Sequence, residues 1–260
     1  MKLSISNIAW NSECDEEMYL FLKEQGFNGL EIAPTRIFPL NPYEHCQEAA
    51  AFAEILHNEY GLAISSMQSI WFGKGETIFG SDRDRQVLLD YTFKAINFAE
   101  VIGCPNLVFG CPKNRNIPNN ADMKIAYDFF GDIARYAKDH GTVMAIEPNP
   151  PIYDTNFIND STEAFRFAEE ICGLAVNLDF GTIIENSESL QVVSDNLDLI
   201  NHIHISEPYL AKIEERDLHV ELSKILKNGN YQKYISIEMK NPGGLLVVKQ
   251  TADYIRRVFG

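Results

Sequence analysis

Four apolar stretches in the second half of the chain each end in an acidic residue or a histidine: Val143-Met-Ala-Ile-Glu147, Leu174-Ala-Val-Asn-Leu-Asp179, Ile200-Asn-His-Ile-His204 and Tyr234-Ile-Ser-Ile-Glu238. Short apolar runs of this kind are typical of buried β-strands. The four polar end residues can meet at one point only if the strands run parallel and curve into a barrel, whose C-terminal rim carries the active site. These stretches predict an α/β fold, a single (β/α)8 TIM barrel with eight parallel strands and a metal site at its C-terminal face.

The spacing of apolar runs along the whole chain supports this fold. Strand candidates recur roughly every thirty residues, the length of one strand–helix unit, and they centre near Leu3, Leu30, Ile64, Leu107, Ala145, Val176, Ile203 and Ile235. Helical periodicity lies between them, and helices are predicted over Glu16–Gln25, Tyr43–Tyr60, Asp84–Ile102 and Ala121–His140, with another starting at Ser161. No linker rich in Pro, Gly or Ser divides the chain, which predicts one domain over residues 1–260.

The alternation within the late strands distinguishes a barrel from an open sheet. In Tyr234–Glu238, Ile235 and Ile237 face one way, whereas Tyr234, Ser236 and Glu238 face the other. One face is large and aliphatic, as packing under outer helices requires, and the other is small or polar, as a barrel interior near an active site would be. A doubly wound open sheet needs aliphatic residues on both faces. The closed barrel is therefore favoured.

The composition of the chain limits the classes of binding partner and indicates a cellular compartment. The net charge of −15 argues against a nucleic-acid partner, since a phosphate backbone requires a basic face. The five cysteines show no CxxC pairing, and they predict reduced thiols in a cytoplasmic protein. No signal peptide is expected before the first strand, and no apolar run approaches the ~20 residues of a membrane span. A homo-oligomer remains open.

The four strand-end residues point to a divalent metal ion. Glu147, Asp179, His204 and Glu238 all have inward parity at the ends of their strands. Three converging carboxylates would cost several kcal/mol of desolvation and repulsion unless a cation neutralised them. Three oxygen donors and one nitrogen suit Mn²⁺, Mg²⁺ or Co²⁺, and Zn²⁺ is also compatible.

Further residues are candidates for substrate binding, each with an alternative structural role. Lys240 could bind an anionic group or pair with a ligand carboxylate, and Glu31 could bind a hydroxyl or form a bridge within the barrel. Asn149 could orient Glu147. The remaining candidates are a histidine at a helix start, a histidine one layer below His204, and two tryptophans that could wall a sugar or pack within loops: His219, His202, Trp10 and Trp71. Lys113 and Arg115 fall in a predicted loop, where they could bind a phosphate, although basic residues in a loop are usually solvated.

The motifs Ala145-Ile-Glu-Pro-Asn149, Asn177-Leu-Asp-Phe-Gly181, His202-Ile-His-Ile-Ser-Glu207 and Ile235-Ser-Ile-Glu-Met-Lys240 together resemble the xylose-isomerase-like superfamily of TIM barrels. Within it, the likeness is to the sugar (and sugar-phosphate) isomerase/epimerase branch. The resemblance implies a metal-dependent enzyme whose four matching residues hold one divalent ion. It also implies that Glu147 and Glu238 exchange a substrate proton by way of an enediolate.

The chain also departs from these relatives. Thr182 stands where many members have a histidine, and Leu210 and Tyr153 replace an arginine and a glutamate of the ketose 3-epimerases. The free-ketohexose assignment is therefore less secure than the metal site. The alternatives are a lyase of the inosose-dehydratase type with the same ligands, a hydrolase like the apurinic endonucleases, and a non-catalytic sugar sensor.

Overall fold

Eight parallel strands close into a barrel in the computed structural model, which describes residues 1–260. The strands are β1 Lys2–Ser6, β2 Gly29–Ile32, β3 Ala63–Met67, β4 Asn106–Phe109, β5 Val143–Ile146, β6 Ala175–Asp179, β7 Ile200–Ile205 and β8 Tyr234–Ile237. Neighbours in sequence pair with each other, and β1 pairs with β8 through Leu3 and Ile235, which closes the ring. The predicted barrel is confirmed, and every predicted strand centre lies within a strand.

Ten α-helices surround or cap the barrel: α1 Asp15–Glu24, α2 Pro34–Ile37, α3 Cys46–Ile55, α4 Asp82–Val101, α5 Lys124–Asp139, α6 Ser161–Glu169, α7 Phe180–Asn186, α8 Gln191–Asp195, α9 Asp217–Asn228 and α10 Leu245–Phe259. α4 begins with a reciprocal pair of bonds between Ser81 and Asp84, which satisfies two amides that the first turn leaves free. The predicted helix over 43–60 is interrupted, since α3 starts only at Cys46 and widens into a π-helical turn over Leu56–Tyr60. None of the helices combines the length and the apolar character that a membrane span requires.

Side chains alternate between the two faces of the barrel wall as predicted. Ile235 and Ile237 of β8 belong to the apolar core shared with the helices. Ser236, His202 and Asn177 are fully buried inside the barrel. Because each strand has this period of two, the residue at its C-terminal end continues the interior row and enters the mouth of the barrel.

Candidate metal centre and catalytic cavity

Four acidic or imidazole side chains converge at the mouth of the barrel. Glu147, Asp179, His204 and Glu238 each offer one ligand atom, and these atoms lie within 4.8 Å of one another. His204 Nδ1 is 2.8 Å from Glu147 Oε1 and 3.1 Å from Glu238 Oε2. The side chains arrive from consecutive strands β5 to β8, so the structure brings the sequence-predicted ligand set together.

Glu31 of β2 fixes the orientation of His204 from the opposite side of the barrel. Glu31 Oε1 lies 2.8 Å from His204 Nε2, and both side chains are fully buried. A proton on Nε2 directed at this carboxylate leaves the lone pair of Nδ1 facing the cluster. Carboxylate–histidine pairs commonly set the tautomer of a metal-binding imidazole in this way. Of the two roles predicted for Glu31, the structure shows the bridge within the barrel.

The Asp179 carboxylate is held by residues beyond its strand. Its Oδ2 accepts hydrogen bonds from Thr182 N at 2.8 Å and Thr182 Oγ1 at 2.7 Å, and its Oδ1 accepts one from Ser206. Asp179 is thereby the N-cap of α7. Thr182, which replaces the histidine of many relatives, positions a cluster carboxylate.

Two amides hold the Glu147 carboxylate. Asn177 Nδ2 donates to Oε1 at 2.8 Å, and Asn149 Nδ2 donates to Oε2 at 3.2 Å. Gly110 leaves room for this carboxylate, because a Cβ at that position would come within 2.6 Å of Glu147 Oε2. The role predicted for Asn149, orienting Glu147, agrees with this geometry.

The electrostatics of the cluster fit a bound cation. Burial, reinforced by the nearby Glu147, raises the pKa of Asp179 to about 6. Burial also raises the pKa of Glu238 to about 7, with the Glu147 carboxylate adding to the effect. Burial opposes a charge on His204, but the carboxylates of Glu238 and Glu31 outweigh it and raise its pKa well above the usual value. A dication would neutralise this crowded negative charge, and the oxygen-rich donor set suits Mn²⁺, Mg²⁺ or Co²⁺.

A cavity of about 220 Å³ opens over this cluster. Its volume lies below the roughly 300–1,000 Å³ of pockets for drug-sized ligands, which suits a ligand about the size of one sugar ring. Two buried acceptors that line it, Gln68 Oε1 and Asn149 Oδ1, have no hydrogen-bond partner in the protein. Its apolar wall includes Val108, Pro112 and Leu210.

The only charged side chains that line the cavity are carboxylates. One of them, Glu207, is neutralised from behind by Arg216, which donates Nε to Oε1 at 2.7 Å and Nη2 to Oε2 at 2.6 Å. No lysine, arginine or histidine side chain lines the cavity. Sequence reasoning did not identify Gln68 or Glu207. Gln68 follows β3, outside the quoted motifs, whereas Glu207 closes the motif His202-Ile-His-Ile-Ser-Glu207 but lies beyond the end of β7, where strand parity no longer predicts the direction of a side chain.

Six of the seven predicted substrate contacts, Glu31 included, lie outside the cavity lining. Trp10 donates Nε1 to Asp15 and lines a separate groove beside α10. The Trp71 ring packs against Phe109, and its Nε1 bonds Thr92.

The two histidines and the lysine also lie outside the cavity lining. His219 is buried between helices, with Nδ1 at 3.0 Å from the Tyr254 hydroxyl. His202 is fully buried below His204, where Glu31 Oε2 lies 3.5 Å from its Nε2. Lys240 is exposed to solvent. Lys240 lies beyond the end of β8, where the packing of the loop rather than strand parity directs a side chain, whereas His202 lies within β7 and His219 on α9.

Arg115 contradicts the expectation of a solvated loop residue. Its side chain is fully buried next to the cluster, where Nη1 donates to the main-chain oxygen of Glu147 at 2.8 Å. Burial lowers its pKa to about 10, so the guanidinium keeps its charge at neutral pH. Lys113, by contrast, is exposed as expected.

Comparison with known proteins identifies the family. The profile of the xylose isomerase-like TIM barrel matches residues 20–258. The chain belongs to this family. It is 26% identical over 253 residues to 3-dehydro-D-guloside 4-epimerase of Escherichia coli strain K12, with 92% of each chain covered.

Solved structures of the family share the fold over nearly the whole chain. The apo structure of 3-keto-D-glucoside 4-epimerase from E. coli aligns with a TM-score of 0.79 and 22% identity over 99% of each chain. D-Psicose 3-epimerase from Clostridium cellulolyticum H10 aligns with a TM-score of 0.78 and 15% identity over 100% of this chain and 99% of the other. The predicted superfamily and the prediction of an enzyme are confirmed by these relatives.

Proposed function

We propose that the protein is a divalent-metal-dependent epimerase that inverts a carbon next to the carbonyl of an uncharged keto sugar. The observation that carries the proposal is the convergence of Glu147, Asp179, His204 and Glu238 at the floor of a sugar-sized cavity. The epimerase names of the relatives favour inversion over aldose–ketose isomerisation or dehydration.

In this proposal Glu147 and Glu238 act on opposite faces of one carbon. They follow β5 and β8, which are separated by β6 and β7, so their carboxylates reach the cavity from different directions. One carboxylate takes the proton from the carbon beside the carbonyl, and the electron pair moves to the carbonyl oxygen to give an enediolate. The other carboxyl group returns a proton to the opposite face.

A divalent ion held by the four side chains would supply a Lewis acid for the carbonyl oxygen. The protein's own groups do the rest. Asn177 and Asn149 hold the Glu147 carboxylate against rotation. Gln68 Oε1 and Asn149 Oδ1 are buried and have no partner in the protein. A rotation of either side chain into the cavity would offer an acceptor to a sugar hydroxyl, which would otherwise lose its hydrogen bond with water.

The lining supports an uncharged substrate. A phosphate or carboxylate in this cavity would face Glu207 and the cluster carboxylates without a basic side chain to pair with it. Sugar phosphates are therefore expected to be poorer substrates than the corresponding free keto sugars or keto glycosides.

Solvent proton exchange tests the proposal. With Mn²⁺ in heavy water, the protein should incorporate deuterium at a carbon next to the carbonyl of a keto sugar, followed by NMR over a panel of ketoses, 3-keto glycosides, inososes and ketose phosphates. Glu147→Gln and Glu238→Gln should each abolish incorporation, while Glu185→Gln at an exposed site should not.

Each outcome of this screen has a reading. Loss of water with an ultraviolet-absorbing dicarbonyl product would replace the epimerase by the lyase. Exchange that survives in either glutamine variant would remove these glutamates from the mechanism. Sugar binding that is unchanged after metal removal, without exchange, would indicate a sensor.

A further inference from the structure

Arg115 is a fully buried arginine beside the four-residue cluster, although it does not line the cavity. It lies between β4 and α5 and is fully buried. Its guanidinium donates to two main-chain oxygens, that of Glu147 at 2.8 Å and that of Ile158 at 3.2 Å, rather than to a carboxylate. The guanidinium carbon also lies 6.0 Å from the centre of the Phe109 ring.

The two oxygens belong to the two ends of one loop. Residues 147–160 connect β5 to α6, with Ile158 near the end of the loop, and they carry the cavity residues Asn149 and Tyr153. Ile158 has a left-handed backbone with φ of 58°, which a β-branched residue adopts only under strain. The Asn149 amide donates to the same Ile158 oxygen at 3.0 Å. Arg115 and Asn149 thus hold the strained turn closed.

Neighbours of Arg115 extend the same connection outward. Asn116 Nδ2 donates to the Asp154 oxygen at 2.9 Å, and Asn156 Nδ2 donates to the Ile117 oxygen at 3.0 Å. Asn114 Nδ2 donates to the Glu76 oxygen of the preceding loop at 2.7 Å. Within this segment, Arg115 is the member whose side chain reaches the candidate base.

Stability alone does not account for an arginine here. Burying a charge without a paired carboxylate costs several kcal/mol, and an apolar side chain of similar volume is often at least as stable. A planar guanidinium does offer two donors at a fixed separation. We infer that Arg115 is a positioning residue, which fixes the main chain at Glu147 and Ile158 and thereby orients the Glu147 carboxylate and the wall formed by Asn149 and Tyr153.

The inference makes separate predictions for stability and function. Arg115→Met removes the donors and keeps an unbranched chain, so Tm should stay within a few degrees of wild type or rise. Hydrogen exchange at the amides of Asn149, Tyr153 and Asn156 should become at least tenfold faster. The Mn²⁺ Kd should rise about tenfold, and kcat for proton exchange should fall about 10²-fold, since a displacement near 1 Å costs that much. KM should change less than kcat.

Two further variants keep the test decisive. Lys113→Met removes a positive charge from the same segment at an exposed site, and it should leave loop exchange, Mn²⁺ affinity and kcat unchanged. Arg115→Lys keeps the charge but cannot bridge both carbonyls, so it should show intermediate loop exchange and a kcat between those of wild type and Arg115→Met. If the methionine variant does not fold, the lysine variant decides.

The predicted change in kcat rests on the proposed function, whereas the predicted changes in amide hydrogen exchange and Mn²⁺ affinity do not. The two proposals can therefore fail separately. A folded Arg115→Met protein with wild-type loop exchange and Mn²⁺ affinity overturns the inference, as does a lysine variant identical to wild type in both. If wild-type protein causes no deuterium incorporation into any sugar of the panel, the proposed function fails. Amide hydrogen exchange in the loop and Mn²⁺ affinity still test the role of Arg115 in that case.

Discussion

Removing the charge of Glu31 should weaken metal binding without touching a ligand. Glu31 Oε1 lies 2.8 Å from His204 Nε2, and both side chains are fully buried. The Glu31 carboxylate increases the basicity of the imidazole, so the lone pair of Nδ1 becomes a stronger metal ligand. Loss of such a partner typically costs 10–100-fold in metal affinity, which corresponds to about 1.4–2.7 kcal/mol. The amide oxygen of a glutamine can still accept the Nε2 proton, so Glu31→Gln should fall near the lower end, a Kd about tenfold higher.

The assay is a titration of metal-free protein with Mn²⁺, with the free ion followed by its EPR signal at constant pH. The matched control is Glu24→Gln, which removes the same charge from an exposed position on α1 and should leave Kd unchanged. A Glu31→Gln protein that folds and binds Mn²⁺ within twofold of wild type would refute the assignment of Glu31 as the residue that orients His204.

Three further outcomes follow from the same geometry. Asp179→Asn removes a cluster charge and should lower the Mn²⁺ retained after dialysis at least tenfold by elemental analysis; full retention would exclude Asp179 as a ligand. Because the metal-free pKa values of Asp179 and Glu238 are raised to about 6 and about 7, both acids release protons on binding, and His204, whose pKa is also raised, adds to the release. Kd should therefore rise by at least about 10²-fold from pH 8 to pH 5.5. Because these raised pKa values mean that the folded metal-free protein binds more protons than the unfolded chain, its stability should fall as pH rises through that interval. A Kd measured by calorimetry that does not depend on pH would contradict both statements. Gly110→Ala puts a methyl group 2.6 Å from Glu147 Oε2 and should reduce kcat about 10²-fold, whereas Gly131→Ala, with open space around it, should not; equal rates for both would show that the Glu147 carboxylate can move at no cost.

The strands and the four-residue cluster were predictable because both depend on the regular alternation of side chains along a strand. A period of two places Glu147, Asp179, His204 and Glu238 on the interior face, and parallel strands bring their ends to one rim. These relations need no knowledge of loop structure. Five helices were predicted with errors at their ends, and the one over 43–60 is interrupted before Cys46. The bounds of the other five helices, α2 and α7 to α10, were not predicted.

The surroundings of the cluster were harder to predict because they depend on contacts distant in sequence. Glu31 and His204 are separated by 173 positions, and parity alone could not tell a bridge from a substrate contact. Trp10 and Trp71 lie in loops that turn their rings into packing rather than into the cavity. The burial of Arg115 could not be predicted, because the two carbonyl groups that it contacts, those of Glu147 and Ile158, belong to a loop distant in sequence.

The central claim is that one dication binds Glu147, Asp179, His204 and Glu238 together, and crystals grown with Mn²⁺ test it most directly through anomalous scattering at the manganese edge. The account predicts one strong peak per chain, within about 2.0–2.6 Å of a carboxylate oxygen from each acid and in contact with Nδ1 of the imidazole. A peak elsewhere, or a crystal in which these four side chains point apart and bind no ion, would contradict it.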